Sequence, residues 1–395
     1  MEAMEQRCNH QMKIMELETQ GQVKHIKDKW RSEFERRKKL HNALLELKGN
    51  IRVFCRIRPM LESETAAGGC PAVKAEDEDN LTIASPEGSK DLIKTYEFDR
   101  VFGPEDGQEE VFEEVSSLVT SVLDGYNVCI VAYGQTGSGK TYTMDGPEAN
   151  PGVNSRTLSQ LFRIADNRNG QNNYTIKASV LEIYNEQIVD LLSDNRDKKL
   201  DIKQDADGMY VPGLKIEEVR SMENVNALIA TGKKNRSTFA TNMNEHSSRS
   251  HLVFSVYVEN QSSTQANGRR FKGKLHLIDL AGSERLSKSG AQGDRLREAQ
   301  NINKSLSALG DVIQALRQKS QHIPFRNSKL TRFLEDSLGR SSKCLLMANF
   351  SPSAANCAES RCSAEFASRA KKVELGRTAP SAAPQNRRRP PTEQK

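Results

Sequence analysis

A chain of 395 residues is too long for one small domain, and 36% hydrophobic with 28% charged residues is the balance of an ordinary folded protein, not of a disordered or collagenous one. No apolar run approaches the ~18 residues of a membrane span and the N-terminus is polar, so the sequence predicts a soluble intracellular protein without a secretory signal. The seven cysteines, Cys8, Cys55, Cys70, Cys129, Cys344, Cys357 and Cys362, form no C-x-x-C pair and read as reduced thiols, while a net charge of only +6 argues against a general nucleic-acid binder.

Residues 1–48 contain no proline and a single glycine, Gly21, among many Lys, Arg, Glu and Gln. Val23, Ile26, Trp30, Leu40, Leu44 and Leu47 recur in steps of three and four, which predicts a helix with one apolar seam and a coiled coil, although Glu33 and Arg37 interrupt the heptads. Gly49-Asn50 stops this helix, and residues 51–59 then alternate like a strand, so a globular domain begins here. Onward to about residue 375, short apolar runs at 128–133, 176–183, 252–258, 275–280 and 344–350 alternate with amphipathic stretches, the pattern of an α/β fold. The polar clusters at 76–80 and 261–268 read as loops. After Gly376, four prolines and the Arg387-Arg388-Arg389 run cannot assemble a core and predict a disordered tail. The expected organisation is a helical neck over 1–48, a domain over 49–375 and a basic, proline-rich tail over 376–395.

Gly134-Gln135-Thr136-Gly137-Ser138-Gly139-Lys140-Thr141 satisfies G-x-x-x-x-G-K-[ST], placed after a predicted buried strand and before a predicted helix. That pattern suits phosphate: glycines let backbone N–H groups turn inward around the oxygens, Lys140 reaches the outer phosphates, and Thr141 can ligate Mg²⁺. A second apolar run, 275–278, ends in Asp279, which suits a carboxylate near the metal, with Gly282 three residues on. A phosphate loop of this kind does not by itself decide between ATPase, GTPase, kinase or switch protein.

Beyond generic phosphate-loop logic, residues 244–251 (Asn-Glu-His-Ser-Ser-Arg-Ser-His) and 279–285 (Asp-Leu-Ala-Gly-Ser-Glu-Arg) closely resemble switch I and switch II of kinesins. Tyr142-Thr143-Met144 after the phosphate loop matches too. Residues 301–310 resemble the kinesin relay helix, expected over about 298–318, and residues 322–331 resemble the microtubule-binding loop and the helix after it. The resemblance spans roughly residues 50 to 375 and implies the P-loop NTPase kinesin motor fold: a central, mostly parallel mixed sheet flanked by helices on both faces, preceded by an N-terminal neck helix.

By that resemblance Arg56, Pro59 and Tyr142 frame the adenine, with the tyrosine ring stacked on it, and the loop from Gly134 to Thr141 (Gly134, Gln135, Thr136, Gly137, Ser138, Gly139, Lys140, Thr141) holds the phosphates. Ser248 joins Thr141 on Mg²⁺, and Asp279 holds the ion through water. Ser247 positions the attacking water, Gly282 bonds the γ-phosphate, and an Arg249–Glu284 salt bridge closes the switches. Arg326, Lys329 and Arg332, in a basic stretch continued by Arg340 and Lys343, face acidic tubulin. The implied activity is microtubule-stimulated ATP hydrolysis, with ATP and ADP as substrate and product, in the cytoplasm on the microtubule cytoskeleton, the spindle included among the candidate places.

The neck precedes the motor core, as in kinesin-14 motors, which implies minus-end movement by a neck-helix swing and a homodimer formed through the coiled coil. A crosslinker that binds microtubules without productive motility is the alternative, and a GTPase is disfavoured because no Asn-Lys-x-Asp guanine reader is present. Two places depart from the family pattern: residues 339–344 (Gly-Arg-Ser-Ser-Lys-Cys), and Arg361 with Ala364 where leucines are usual, a replacement expected to lower the stability of the last helix if those sites are buried.

Overall fold

The computed structural model describes residues 2–47, 49–84, 93–168, 172–193, 195, 198–205, 208–239, 246–262, 270–284, 294–339 and 342–374. It divides into two units, residues 1–49 and 50–395. The first is one helix, α1 (Glu2–Leu47), whose Met12, Met15, Val23, Ile26 and Trp30 side chains are exposed. The expected tail at 376–395 lies outside the described residues.

The second unit runs in chain order through β1 (Ile51–Ile57), α2 (Glu62–Ala66), β2 (Val73–Ala75), β3 (Asn80–Ile83), β4 (Lys94–Glu97), β5 (Arg100–Phe102), α3 (Gln108–Leu123), β6 (Asn127–Tyr133), α4 (Lys140–Met144), α5 (Val153–Asn167), β7 (Asn172–Tyr184) and β8 (Gln187–Asp190). It continues through β9 (Lys203–Asp205), β10 (Gly208–Tyr210), β11 (Glu217–Glu218), α6 (Met222–Phe239), a 3₁₀ turn (His246–Arg249), β12 (His251–Ser262), β13 (Arg270–Asp279), α7 (Asp294–Arg317), α8 (Lys329–Phe333), β14 (Ser342–Phe350) and α9 (Cys357–Lys371).

Among the described residues a nine-stranded sheet has the order β11-β7-β12-β13-β6-β14-β1-β5, with β8 beside β7. From β13 to β5 neighbouring strands are parallel, and from β13 outward through β12, β7 and β11 they are antiparallel. Every residue of β1 and β14 is buried. A strand covered on both faces favours apolar residues, as in the 344–350 run of β14, and the alternation of β1 comes from Arg52 and Arg56, which are buried as well. On one face Val53, Cys55, Val131 and Leu346 join Ile302, Leu306 and Leu309 of α7, Leu330 and Phe333 of α8, and Phe366 and Ala367 of α9 in one core. On the other face α3 packs on α5 and on β6, β12 and β13.

The expected apolar runs fall within β6, β7, β12 and β14, the run at 275–280 passes one residue beyond the end of β13, and the relay helix begins four residues earlier than expected. Gln261 and Ser262, expected in a loop, extend β12, since their backbones pair with β7.

Candidate functional site

Strand register assembles the site. Asp279 pairs with Ala132, Ala348 with Tyr133, and Arg56 with Asn349, so the ends of β13, β6, β14 and β1 present Asp279, Gly134, Asn349 and Arg56 at one level of the sheet. This is the carboxyl edge of a parallel sheet, where α/β folds hold their ligands. The chain leaves β6 through Gly134 at φ 148°; a Cβ there would lie 2.4 Å from the Asn349 carbonyl oxygen, so only glycine lets the loop leave so close to the neighbouring strand. Gly139, at φ 99°, then turns the chain in the left-handed region immediately before α4.

Lys140 is buried, and its Nζ donates to the carbonyl oxygens of Gly134 at 2.9 Å and Gln135 at 3.0 Å. Burial lowers its pKa, opposed by the charges of Asp279 and Glu284. The ammonium is thus curled into the loop that it would leave to meet a phosphate. Gln135 is buried and Ser138 nearly inaccessible, whereas Thr136 and Gly137 line the open side.

Thr141 Oγ1 donates to Asp279 Oδ2 at 2.6 Å. Burial raises the pKa of Asp279, against the lowering effects of Lys140 and Thr141. Its other oxygen, Oδ1, is buried with no hydrogen-bond partner. A hydroxyl and an unsatisfied carboxylate oxygen side by side are hard-cation donors, and they fit Mg²⁺. Among the described residues no three of His, Cys, Asp and Glu gather to cage a metal.

The segment at 279–284 meets both the phosphate loop and the segment at 246–251. Gly282 N–H donates to the Ser248 carbonyl at 2.8 Å, and Ser283 N–H donates to the Gly134 carbonyl at 3.2 Å. Glu284 accepts from Thr136 N–H at 2.8 Å and from Thr136 Oγ1 at 2.7 Å. Among the described residues Glu284 forms no ion pair with Arg249, so the expected bridge is not made here; both oxygens of the carboxylate are engaged on the phosphate loop instead. Gly282 is packed against this contact, since a Cβ would lie 2.2 Å from Glu284 Oε2 and 2.3 Å from Thr136 Oγ1. Ser247 and Ser248 lie in the 3₁₀ turn His246–Arg249, and the Ser247 side chain is outside the described residues.

On the expected adenine side, Tyr142 is 49% exposed while Arg56 is only 5% exposed. The Arg56 guanidinium lies 5.3 Å from the Tyr142 ring centroid, and it donates to Gln108 Oε1 at 2.8 Å and Thr143 Oγ1 at 3.2 Å. Arg56 therefore supports the tyrosine from behind and leaves the opposite ring face open to stacking. Pro59 is exposed nearby in sequence.

Several participants escaped the sequence reading. Gln108 Nε2 donates to the Tyr142 carbonyl at 2.7 Å, and Asn349 Nδ2 donates to Thr143 Oγ1 at 2.8 Å. Arg58 Nε donates to the Gly137 carbonyl at 2.7 Å, while its two Nη atoms clamp Glu64 at 2.8 and 2.6 Å and Nη2 reaches Ser351 Oγ at 2.9 Å. Arg58 stands one residue before Pro59, but nothing in its own stretch of sequence announces partners from 64, 137 and 351.

The basic surface is only partly as expected. Arg326 is exposed. Lys329 pairs with Asp201, and its N–H donates to Glu186 Oε2 at 3.1 Å; Arg332 pairs with Glu335. Lys343 does not belong to this surface: it is 4% exposed, its Nζ donates to Ser121 Oγ at 2.9 Å, and it lies 4.2 Å from the Tyr126 ring centroid. Its place on fully buried β14 forces it inward. Arg340 lies outside the described residues.

Residues 56–373 match the family model described as the kinesin motor domain. The rice (Oryza sativa subsp. japonica) kinesin-like protein KIN-14E is 51% identical over 358 residues, covering 90% of this chain and 33% of the relative. The chain spans about a third of the length of such curated relatives. Among solved structures, the C-terminal motor and motor homology domain of Kar3Vik1 fused to a synthetic heterodimeric coiled coil aligns with a TM-score of 0.81 at 39% identity, covering 91% of this chain and 95% of that one. A fast kinesin, studied for its ATPase mechanism and interactions with microtubules, aligns with a TM-score of 0.78 at 39% identity, over 86% of this chain and 96% of its own. Kinesin motor domains are ATPases that microtubules stimulate. With the family match across the nucleotide-site edge of the sheet and both switch segments, this chain belongs to the kinesin motor-domain family.

Proposed function

We propose that this chain binds Mg-ATP at the 134–141 loop, hydrolyses it, and couples the cycle to movement along microtubules. The observation that carries the reading is a chain of contacts: the phosphate loop meets switch II through Gly134 to Ser283 and Thr136 to Glu284, and switch II meets switch I through Gly282 to Ser248. Segments joined in this way to a loop that binds a terminal phosphate have two arrangements, with and without that phosphate.

In the ATP state Lys140 leaves its carbonyls for the β- and γ-phosphates, Gly282 N–H turns to the γ-phosphate, and Glu284 is released from Thr136 to pair with Arg249. Thr141 and Ser248 would ligate Mg²⁺ and Asp279 would hold it through water; the ion supplies neutralisation of the phosphate charge. Ser247 positions the attacking water, and the Arg249–Glu284 pair closes over it and takes up its proton. Phosphoryl transfer needs positioning and charge stabilisation above all, and these residues provide both. Tyr142, with Arg56 behind it and Pro59 alongside, receives the adenine.

Hydrolysis relaxes the switches, α7 shifts, and the grip of Arg326, Lys329 and Arg332 on acidic tubulin changes. The neck α1 precedes the core, and the KIN-14 relatives share that class of motor, so the stroke is a swing of α1 toward the minus end, in a dimer joined through α1 as a coiled coil. The working place is the cytoplasmic microtubule array.

The test is turnover of ATP and of GTP with and without microtubules, followed by gliding on polarity-marked filaments. Expected are ATP-selective, microtubule-stimulated turnover and minus-end motion. Lys140→Ala lowers turnover by about 10³-fold, and Glu284→Ala keeps ATP binding but lowers turnover by about 10²–10³-fold. Unstimulated turnover leaves only a filament crosslinker, and plus-end gliding overturns the direction.

A further inference from the structure

His251, the first residue of β12, is 2% exposed and touches three parts of the machine. It follows the 3₁₀ turn that carries Ser247 and Ser248. Its Nδ1 accepts the backbone N–H of Ala281, the residue before Gly282, at 3.0 Å. Its Nε2 lies 2.8 Å from Ser305 Oγ on α7, and that hydroxyl donates to the Ile302 carbonyl at 2.7 Å.

The donors and acceptors can be satisfied in only one way. A backbone amide donates, so Nδ1 carries the lone pair; the Ser305 proton is on the Ile302 carbonyl, so Oγ accepts and Nε2 carries the hydrogen. Burial, then the nearby charges of Arg236 and Lys140, hold the ring neutral with a pKa lowered to about 3. The imidazole is thus a rigid, singly protonated plate spanning from switch II to α7, the helix whose Ile302, Leu306 and Leu309 enter the core.

We propose that His251 is the positioning residue that carries displacement of the Gly282 segment into α7, with Ser305 as its receiver. The proposal rests on the motor reading above. Breaking either bond strands a polar group in the core, which costs more than the bond itself contributes, so Ala281, the ring and Ser305 move together. Apolar contacts between the same elements are non-directional and let them slide. Two polar contacts on opposite edges of one flat ring transmit both distance and angle.

A buried histidine that only fills space would behave differently from a strut, and three variants separate them. Ser305→Ala removes the receiver alone. The amide of His251→Asn can still accept from Ala281 but cannot reach Ser305, and His251→Gln does the reverse. Thermal melting of each full chain establishes that it folds; Ser305→Ala, the smallest change, decides if the ring variants do not. The wild-type chain is measured first: absence of microtubule stimulation there overturns the motor reading and this proposal with it. Given stimulation, Ser305→Ala is expected to keep microtubule-free turnover within about twofold, while in Ser305→Ala and His251→Asn stimulation and the ratio of microtubule affinities in the ATP-like and ADP states each fall about five- to tenfold. The double variant is expected to be no worse than His251→Asn, because one link has been cut twice. Wild-type stimulation and affinity ratio in Ser305→Ala, or an equal loss of microtubule-free turnover, overturn the proposal while leaving the motor reading intact.

Discussion

At the scale of single residues, the clamp of Arg58 on Glu64 shows how one ion pair can hold a loop far away in sequence. The hydrogen bonds from Arg58 depress the Glu64 pKa from 4.5 to about 2, with Leu61 N–H and Ser351 assisting. A carboxylate lowered in the folded state adds stability that is complete above its unfolded pKa and is lost as pH falls toward the folded one. Glu64→Gln is therefore expected to destabilise the chain by about 1 kcal/mol at pH 7. In denaturant titrations that difference should shrink from about pH 4.5 downward and vanish near pH 2; a difference independent of pH would show that the ionised form is not what Arg58 holds. The same scale explains which site residues were legible. Lys140, Thr141 and Asp279 stand in motifs whose spacing is local, whereas Gln108, Asn349 and Arg58 act only because other strands bring their partners near.

At the scale of elements, α9 carries both departures from the family pattern, Arg361 and Ala364. The helix forms over Cys357–Lys371, Ala364 is fully buried, and Phe366 stacks on Tyr133 with ring centroids 4.3 Å apart. Ala364 belongs to the core that α9 shares with β1 and β14. Restoring bulk with Ala364→Leu is thus expected to overpack the core and cost about 1–3 kcal/mol in thermal or denaturant unfolding; a stabilised variant would reveal an unfilled space instead. Helix α7 follows its sequence pattern closely, because Ile302, Leu306, Leu309 and Ile313 recur along one face and that face is the buried one. β14 shows the limit of the same reasoning. Lys343 reads as surface charge, yet a strand between β6 and β1 has no exposed face, so the ammonium turns to Ser121 and the Tyr126 ring.

At the scale of the whole molecule, charge placement matters more than the net +6. Arg326 is exposed, while Lys329 and Arg332 are held by Asp201 and Glu335 and must exchange partners to meet an acidic polymer. Arg326→Ala is expected to weaken microtubule co-sedimentation about three- to tenfold and to flatten its salt dependence, and Lys329→Ala to have the smaller effect; the reverse order would place the contact on α8. The sequence by itself determined the α/β class, the N-terminal helix and the phosphate loop, because each rests on short-range periodicity or spacing that a linear chain displays; the two switch segments were legible only through their resemblance to kinesins. Only the tertiary structure decided that Arg56 stands behind Tyr142, that Glu284 bonds Thr136 instead of Arg249, that Lys343 is buried and that His251 joins switch II to α7. Those facts depend on strand order and register, which bring together residues tens to hundreds of positions apart, and no local pattern encodes which partner a side chain will meet there.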